Sequence, residues 1–148
     1  MSRPADLGSS STQARVAYFS MEIALEPELL TYSGGLGVLA GDTLRGAADL
    51  GVPMVAVTLV HRKGYVEQRL AANGEQLEVE TSWSPEAKLE ELRERVRVTI
   101  EGKEVLVRAF RYDVRGTSPQ PVTVLLLDVD LAENAPEHRR LTDHLYGG

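Results

Sequence analysis

Ser33-Gly34-Gly35-Leu36-Gly37 is a glycine turn that runs straight into an apolar-periodic segment, Val38 to Leu50. Within that segment Leu36, Ala40, Leu44, Ala47 and Ala48 recur at helical spacing, with Leu39, Thr43 and Leu50 beside them. Asp42, Arg45 and Asp49 fall on the opposite, solvated stripe, and Gly51 followed by Pro53 is a stop signal. Upstream, Val16 to Ser20 is a short apolar run suited to a buried strand, and Met21 to Leu30, with Pro27 inside, is its exit loop. Downstream, Val52 to Val60 is nearly continuous in apolar and β-branched residues, the pattern of a strand covered on both faces. Residues 15 to 60 therefore read as strand, glycine-bearing loop, helix, strand: a right-handed βαβ unit.

The second half changes character. Gly64 to Leu70 and Glu75 to Trp83 flank the turn signal Asn73-Gly74, and Pro85 to Glu91 reads as one short helix. Arg95 to Glu101 and Glu104 to Phe110 each alternate with a period of two around Gly102-Lys103, which predicts a hairpin. Pro121 to Leu127 returns to the parallel sheet, Asp128-Val-Asp130 ends that strand, and Pro136 to Leu145 starts another helix. The fold class expected is α/β: a partial Rossmann-like parallel sheet with an antiparallel hairpin insertion. Residues 1–14, rich in Ser, Gly and Gln, read as a flexible lead-in, and 15–148 as one incomplete domain, because about three parallel strands and one crossover are few for a doubly wound fold.

The composition sets limits. The chain has 148 residues, 43% hydrophobic and 26% charged, with net charge −6 and no cysteine, so disulfides, thiol chemistry and zinc-thiolate sites are excluded. Basic residues form no block; Arg93, Arg95 and Arg97 alternate with Glu94, Val96 and Val98, which argues against a nucleic-acid partner. No apolar run reaches the length of a membrane span and the first residues lack the core of a signal peptide, so the expectation is a cytoplasmic protein without a membrane partner.

Glycines ahead of a helix let backbone N–H groups approach a ligand closely, and the helix start carries unpaired donors and a partial positive charge. That combination attracts phosphate or sugar oxygens at the edge where α/β sheets bind ligands. A tight turn and nothing more accounts equally well for the pattern. Gly35-Leu-Gly37-Val-Leu-Ala40 also satisfies G-x-G-x-x-A, but about a dozen residues separate it from the preceding strand. The second strand ends on Val60-His61-Arg62 instead of an acidic residue. Glu22 lies just beyond the first strand; spacing alone makes it a solvated loop carboxylate. Asp128 and Asp130 end a strand at the same edge and suit either sugar hydroxyls or turn formation. His61, His138 and His144 show no metal-ligand spacing, and Trp83 and Tyr65 suit burial or sugar stacking.

The strings Val16-Ala-Tyr-Phe-Ser-Met-Glu22, Tyr32-Ser-Gly-Gly-Leu-Gly-Val-Leu-Ala-Gly-Asp42, Ala48-Asp-Leu-Gly-Val-Pro53 and Gly64-Tyr65 with Gln68 closely resemble the amino-terminal region of α-glucan (glycogen, starch, maltodextrin) phosphorylases, most nearly the short bacterial and archaeal branch. Leu126 to Asn134 and Leu145 to Gly148 resemble the same family's next landmarks, so the likeness covers roughly residues 15 to 148. It implies a pyridoxal-phosphate glycosyltransferase that cleaves terminal α-1,4-linked glucose with inorganic phosphate, giving glucose 1-phosphate, the cofactor's phosphate serving as acid/base partner. It further implies that Gly34, Gly35, Leu36 and Gly37 face the glucose and phosphate, with Glu22 in support and Gly35 also near the cofactor. A homo-oligomer is compatible with it, and no metal is implied.

Two departures are visible. Where distant phosphorylases place an aromatic residue after the glutamate, this sequence has Ile23 and Ala24. Lys63, Lys88 and Lys103 match no Schiff-base motif; that lysine belongs to a carboxy-terminal domain beyond these residues. The expectation is thus no catalytic residue in this stretch, no covalent cofactor and no activity alone. Two alternatives stand beside this: a nucleotide-sugar glucosyltransferase of the starch-synthase type, disfavoured because Tyr32 stands where a lysine is usual, and a non-catalytic glucan-binding remnant.

Overall fold

The computed structural model describes residues 15–81 and 83–146; the lead-in expected at 1–14 and the closing Gly147-Gly148 lie outside them. The elements in chain order are β1 (Val16–Phe19), α1 (Gly35–Leu50), β2 (Met54–Leu59), β3 (Tyr65–Leu70), β4 (Gln76–Thr81), α2 (Pro85–Lys88), β5 (Glu90–Ile100), β6 (Lys103–Val114), β7 (Val122–Asp128) and α3 (Pro136–Arg139), with a 3₁₀ turn over Arg140–Thr142. Five strands form one sheet in the order β1-β2-β7-β6-β5, while β3 and β4 pair apart from it. β1, β2 and β7 run parallel; the β5–β6 hairpin joins antiparallel through β6. The expected α/β class, parallel return strand and hairpin insertion are all present.

α1 packs on one face of this sheet. Its buried residues are Gly37, Ala40, Gly41, Leu44, Ala47 and Ala48, seated against Ala56, Phe110, Val122, Val124 and Leu126, with Ile23, Leu25 and Leu29 of the β1–α1 loop completing the core. Small residues on the packed stripe let the helix lie close. A Cβ added at Gly41 would sit 2.2 Å from the Ala24 carbonyl oxygen, and one at Gly37 would sit 2.4 Å from Tyr32 Cβ. The sequence stripe is therefore corrected: Leu36, Leu39 and Leu50 are exposed, and two glycines take their places in the contact. Gly51, left-handed at φ 65, ends the helix with its N–H on the carbonyls of Ala47 and Ala48.

The opposite face of the sheet is bare. The register aligns Ala17, Val55 and Thr123, then Phe19, Val57 and Leu125, then Leu59 and Leu127 on that side. Phe19 is 73% exposed, and Val55, Leu59, Val96 and Val98 are also exposed. β1 and β2 are thus not enclosed on both faces as their composition suggests, because one crossover helix covers one side alone. β1 is also an edge strand.

Three boundaries differ from expectation. α2 stops at Lys88 because Glu90 and Glu91 are claimed by pairing with Arg111 and Phe110 on β6. The hairpin turn falls on Glu101-Gly102, both at positive φ, one residue earlier than expected. The last helix ends at Arg139 because the chain turns to pair with the β2 exit, Arg62 N–H donating to Thr142 O and Lys63 N–H to Asp143 O.

An ion network binds the carboxyl ends of the strands. Asp128, fully buried at the end of β7, accepts from Arg62 Nη2 at 2.6 Å, Arg108 Nε at 2.7 Å, Thr142 Oγ1 at 2.9 Å and the Asp130 amide at 3.1 Å. Glu86 meets the same two guanidiniums at 2.7 and 2.9 Å, tying α2 to the sheet. Burial alone would raise the Asp128 pKa, but Arg62, the Asp130 amide and Arg108 hold it down to about 2. Glu86 is likewise held to about 2, Arg62 outweighing burial. No helix among the described residues is long and apolar enough to cross a membrane.

Three substitutions and a pH dependence are expected to register in thermal and denaturant melts of the chain. Gly41→Ala costs about 2 kcal/mol through overpacking against Ala24, whereas Gly46→Ala, where an added Cβ meets nothing within 4 Å, stabilises by about 0.5–1 kcal/mol. Asp128→Asn removes the carboxylate shared by two largely buried guanidiniums and costs about 3 kcal/mol. Because both carboxyl pKa values are depressed in the folded chain, the stability they contribute is complete above the ordinary carboxylate range and is lost as pH falls from about 5 toward 2. A melt independent of pH over that window contradicts the assignment.

Candidate functional site

α1 begins without a cap of its own. Gly34 is extended (φ −155, ψ −164) and has no side chain, and the first turn holds no acidic residue. The missing anion comes from Glu22, in the loop after β1. Glu22 is 1% exposed, and its carboxylate accepts the amide N–H of Ser33 at 2.7 Å, Gly34 at 3.3 Å and Gly37 at 3.1 Å. A buried carboxylate is costly unless matched by donors and positive potential; a helix start supplies both. Glu22 is thus no solvated loop residue, which spacing alone suggested.

The backbone around Glu22 is pinned on every side. Met21 O accepts from Thr58 Oγ1 at 3.2 Å and lies 2.9 Å from His61 Nε2, both at the end of β2. Ser20 Oγ donates to Glu22 O at 2.7 Å. Ile23 N–H donates to Thr31 O and Ala24 N–H to Gly37 O, and Thr31 Oγ1 returns to Ile23 O. His61 itself is 1% exposed and its carbonyl accepts the Trp83 indole N–H at 2.8 Å. Burial lowers the His61 pKa, outweighing the Met21 carbonyl and the Glu22 charge, so the ring is neutral at pH 7 with Nε2 as the donor.

With Ser33, Gly34 and Gly37 committed to Glu22, and Val38 N–H to Gly34 O, two amides of the turn stand apart. Among the described residues neither Gly35 nor Leu36 N–H has an acceptor. A Cβ added at Gly34 or Gly35 would meet nothing within 4 Å, so the turn borders open space. Of the five residues singled out in sequence, Glu22, Gly34 and Gly37 form the internal latch, and Gly35 and Leu36 present the free donors.

Beside the turn lies a cleft of about 170 Å³ lined by Ser33, Lys63, Gly64, Tyr65, His144 and Tyr146, with Leu145. Tyr146 Oη stands 3.4 Å from Glu22 Oε1. The Tyr65 phenol is pushed up to about 12 by burial and then by the charge of Glu22, and its oxygen is enclosed with no partner among the described residues. Gly64, left-handed at φ 89, allows this packing, since a Cβ there would meet His144 Nδ1 at 2.7 Å. Sequence reading gave Tyr65 no role next to Glu22; no local pattern links residues 22, 65 and 146. Lys63 Nζ is paired with Asp143 at 2.9 Å and Lys103 Nζ with Glu137 at 2.9 Å. Asp128 is consumed by its arginines and Asp130 is paired with Arg139, so neither offers a free sugar-binding carboxylate. Trp83 packs against the core. No group of His, Asp and Glu among the described residues is arranged to hold a metal.

No protein-family model matches the sequence. Individual relatives do. Glycogen phosphorylase of Mycobacterium tuberculosis is 40% identical over 151 residues, covering 97% of this chain and 17% of its own length. Maltodextrin phosphorylase of Thermococcus litoralis is 37% identical over 138 residues (88% of this chain, 16% of the relative), and glycogen phosphorylase of Aquifex aeolicus is 32% identical over 141 residues (88% and 19%). The chain spans less than a fifth of the length of these relatives. Over 88–97% of its length, at 32–40% identity, this chain is similar to the amino-terminal part of glycogen and maltodextrin phosphorylases.

Proposed function

We propose that this chain supplies one wall of the active site of an α-glucan phosphorylase, which transfers the terminal α-1,4-linked glucose of a glucan to inorganic phosphate and yields glucose 1-phosphate. The observation that carries the reading is the pair of unclaimed donors, Gly35 and Leu36 N–H, at an open helix start. They suit an oxygen that gains negative charge during the transfer, and being fixed beforehand they need no reorganisation when charge develops. Glu22 does not touch the reacting atoms. It is a positioning residue that holds the three neighbouring amides and leaves two free. Its own negative charge lies behind the turn, so the site favours an oxygen sharing a delocalised charge over a bare, fully charged group.

The residues present fit part of the cofactor such an enzyme uses. Gly35, with no Cβ and open space beside it, accommodates the approach of a flat ring or a phosphate. When bound, pyridoxal phosphate supplies a phosphate group that exchanges a proton with the substrate phosphate. The amine that would anchor its aldehyde has no counterpart at this turn, since Lys63 is engaged by Asp143. The chain alone is therefore proposed to be inactive, and glucan, phosphate and cofactor meet the turn in a longer polypeptide.

The test has two arms. Phosphate or glucose 1-phosphate titrated into the ¹⁵N-labelled chain shifts the Gly35 and Leu36 amide resonances, with Ser33, Gly34 and Gly37 moving less; shifts confined to surface lysines and arginines count against the site. The full-length gene product releases glucose 1-phosphate from maltodextrin plus phosphate, and Glu22→Ala lowers its kcat about a hundredfold, on the scale of losing one preorganised donor. Chain growth from ADP-glucose in place of phosphorolysis overturns the reading.

A further inference from the structure

A second polar cleft opens at the carboxyl edge of the sheet, and the glycine-turn chemistry gives it no task. It measures about 230 Å³. Its walls are the β2 exit at Arg62 and Lys63, the β7 exit at Asp130, and the α3 segment with its 3₁₀ turn, which supplies Arg139, Arg140 and Asp143. Arg62 N–H donates to Thr142 O and Lys63 N–H to Asp143 O, so main-chain bonds hold two of these walls together.

Four cations and two carboxylates line the cleft, and they are unequally committed. The Arg62 fork is taken up by Asp128 and Glu86. Arg139 turns Nε and Nη2 toward one oxygen of Asp130 and keeps the rest of its guanidinium. Lys63 Nζ gives one of its three protons to Asp143 at 2.9 Å. Arg140 is exposed, and its side chain has no acceptor among the described residues. The carboxylates are half used as well. Asp143 is 7% exposed; one oxygen takes Lys63, and the other has no donor among the described residues. Asp130 commits Oδ1 to Arg139, while its Oδ2 lies 4.0 Å from Arg62 Nε.

We propose that this cleft binds a sugar phosphomonoester, its phosphate on Arg140, Arg139 and Lys63 and its hydroxyls on the open oxygens of Asp130 and Asp143. A guanidinium fork matches phosphate oxygens in pairs, and an ammonium adds a point charge. With Arg62 offset by Asp128, three cations face two carboxylates, a small positive excess in a chain of net charge −6. The carboxylates decide the rest of the ligand. Free phosphate leaves their open oxygens facing a like charge, whereas a sugar ester puts O–H donors between. A neutral sugar leaves the Arg140 charge unanswered. The volume is below the roughly 300–1,000 Å³ of a drug-sized site, which suits one sugar unit and not an oligosaccharide.

Lys63 also lines the cleft beside the glycine turn, so the two sites are neighbours. Their ligands touch different atoms, and the failure of either leaves the other standing.

Residue-resolved ¹⁵N titrations of the 148-residue chain test the assignment, with glucose 1-phosphate, inorganic phosphate and glucose as separate probes. Glucose 1-phosphate shifts the Arg140 and Asp143 amides and the Arg140 Nε resonance along a saturable curve. Inorganic phosphate needs about fivefold higher concentration or more, and glucose leaves these resonances in place. Arg140→Ala raises the glucose 1-phosphate half-saturation about tenfold. Its melt stays within about 2 °C of wild type, as expected of an exposed side chain. Equal half-saturation for phosphate and glucose 1-phosphate overturns the proposal and leaves an adventitious anion site only. So do shifts that climb without saturating, or an Arg140→Ala curve that matches wild type. Movement of Gly35 and Leu36 without Arg140 and Asp143 removes this site and keeps the turn; the reverse keeps this site and removes the turn.

Discussion

A carboxylate buried to 1% exposure organises this molecule. Glu22 is satisfied through three backbone amides of a turn 11 to 15 residues further along the chain. The helix start needs an anion and the anion needs donors, so each removes the other's desolvation penalty. From that match follow the course of the loop between β1 and α1, the close seating of α1 through Gly37 and Gly41, and the selection of which amides remain free.

The latch depends on the sheet beneath it. β2 delivers Thr58 and His61 to the Met21 carbonyl, fixing the residue before Glu22. At the far side of the same strand ends, Asp128 holds Arg62 and Arg108 and accepts from Thr142, which turns the chain after β7 back toward the β2 exit. Charge is thus neutralised internally at the carboxyl end of the sheet. Lys63, the lysine lining the cleft beside the glycine turn, is already paired with Asp143, which leaves backbone dipoles and hydroxyl groups among the polar groups lining it.

Much of the architecture was legible in the residues. The period change from Val16–Ser20 to the helical stripe and back gave the crossover, and the period-two runs around Gly102 gave the hairpin. Burial was less legible. An apolar run such as Val52 to Val60 reads the same whether its second face is covered within the chain or by something outside it. Helix ends at Lys88 and Arg139 were misplaced because long-range pairing, to β6 and to the β2 exit, overrides local propensity. The glycine turn stood out in sequence, but the division of its amides into committed and free did not. It is set by Glu22, a non-local partner whose own spacing suggested solvent.

The β3–β4 hairpin stands apart from all this. Its strands pair with each other and with no other strand, and most of their side chains are exposed. A lone two-stranded ribbon is marginal in water, so this arm belongs to the least cooperative part of the molecule and opens at a small fraction of the global unfolding free energy. Its roots are firmer, with Trp83 tied to the His61 carbonyl on one side and Gly64 against His144 on the other. Fraying of the arm consequently stops short of residue 61, and a protease nick at its tip near Asn73-Gly74 would leave two fragments held together around an intact latch.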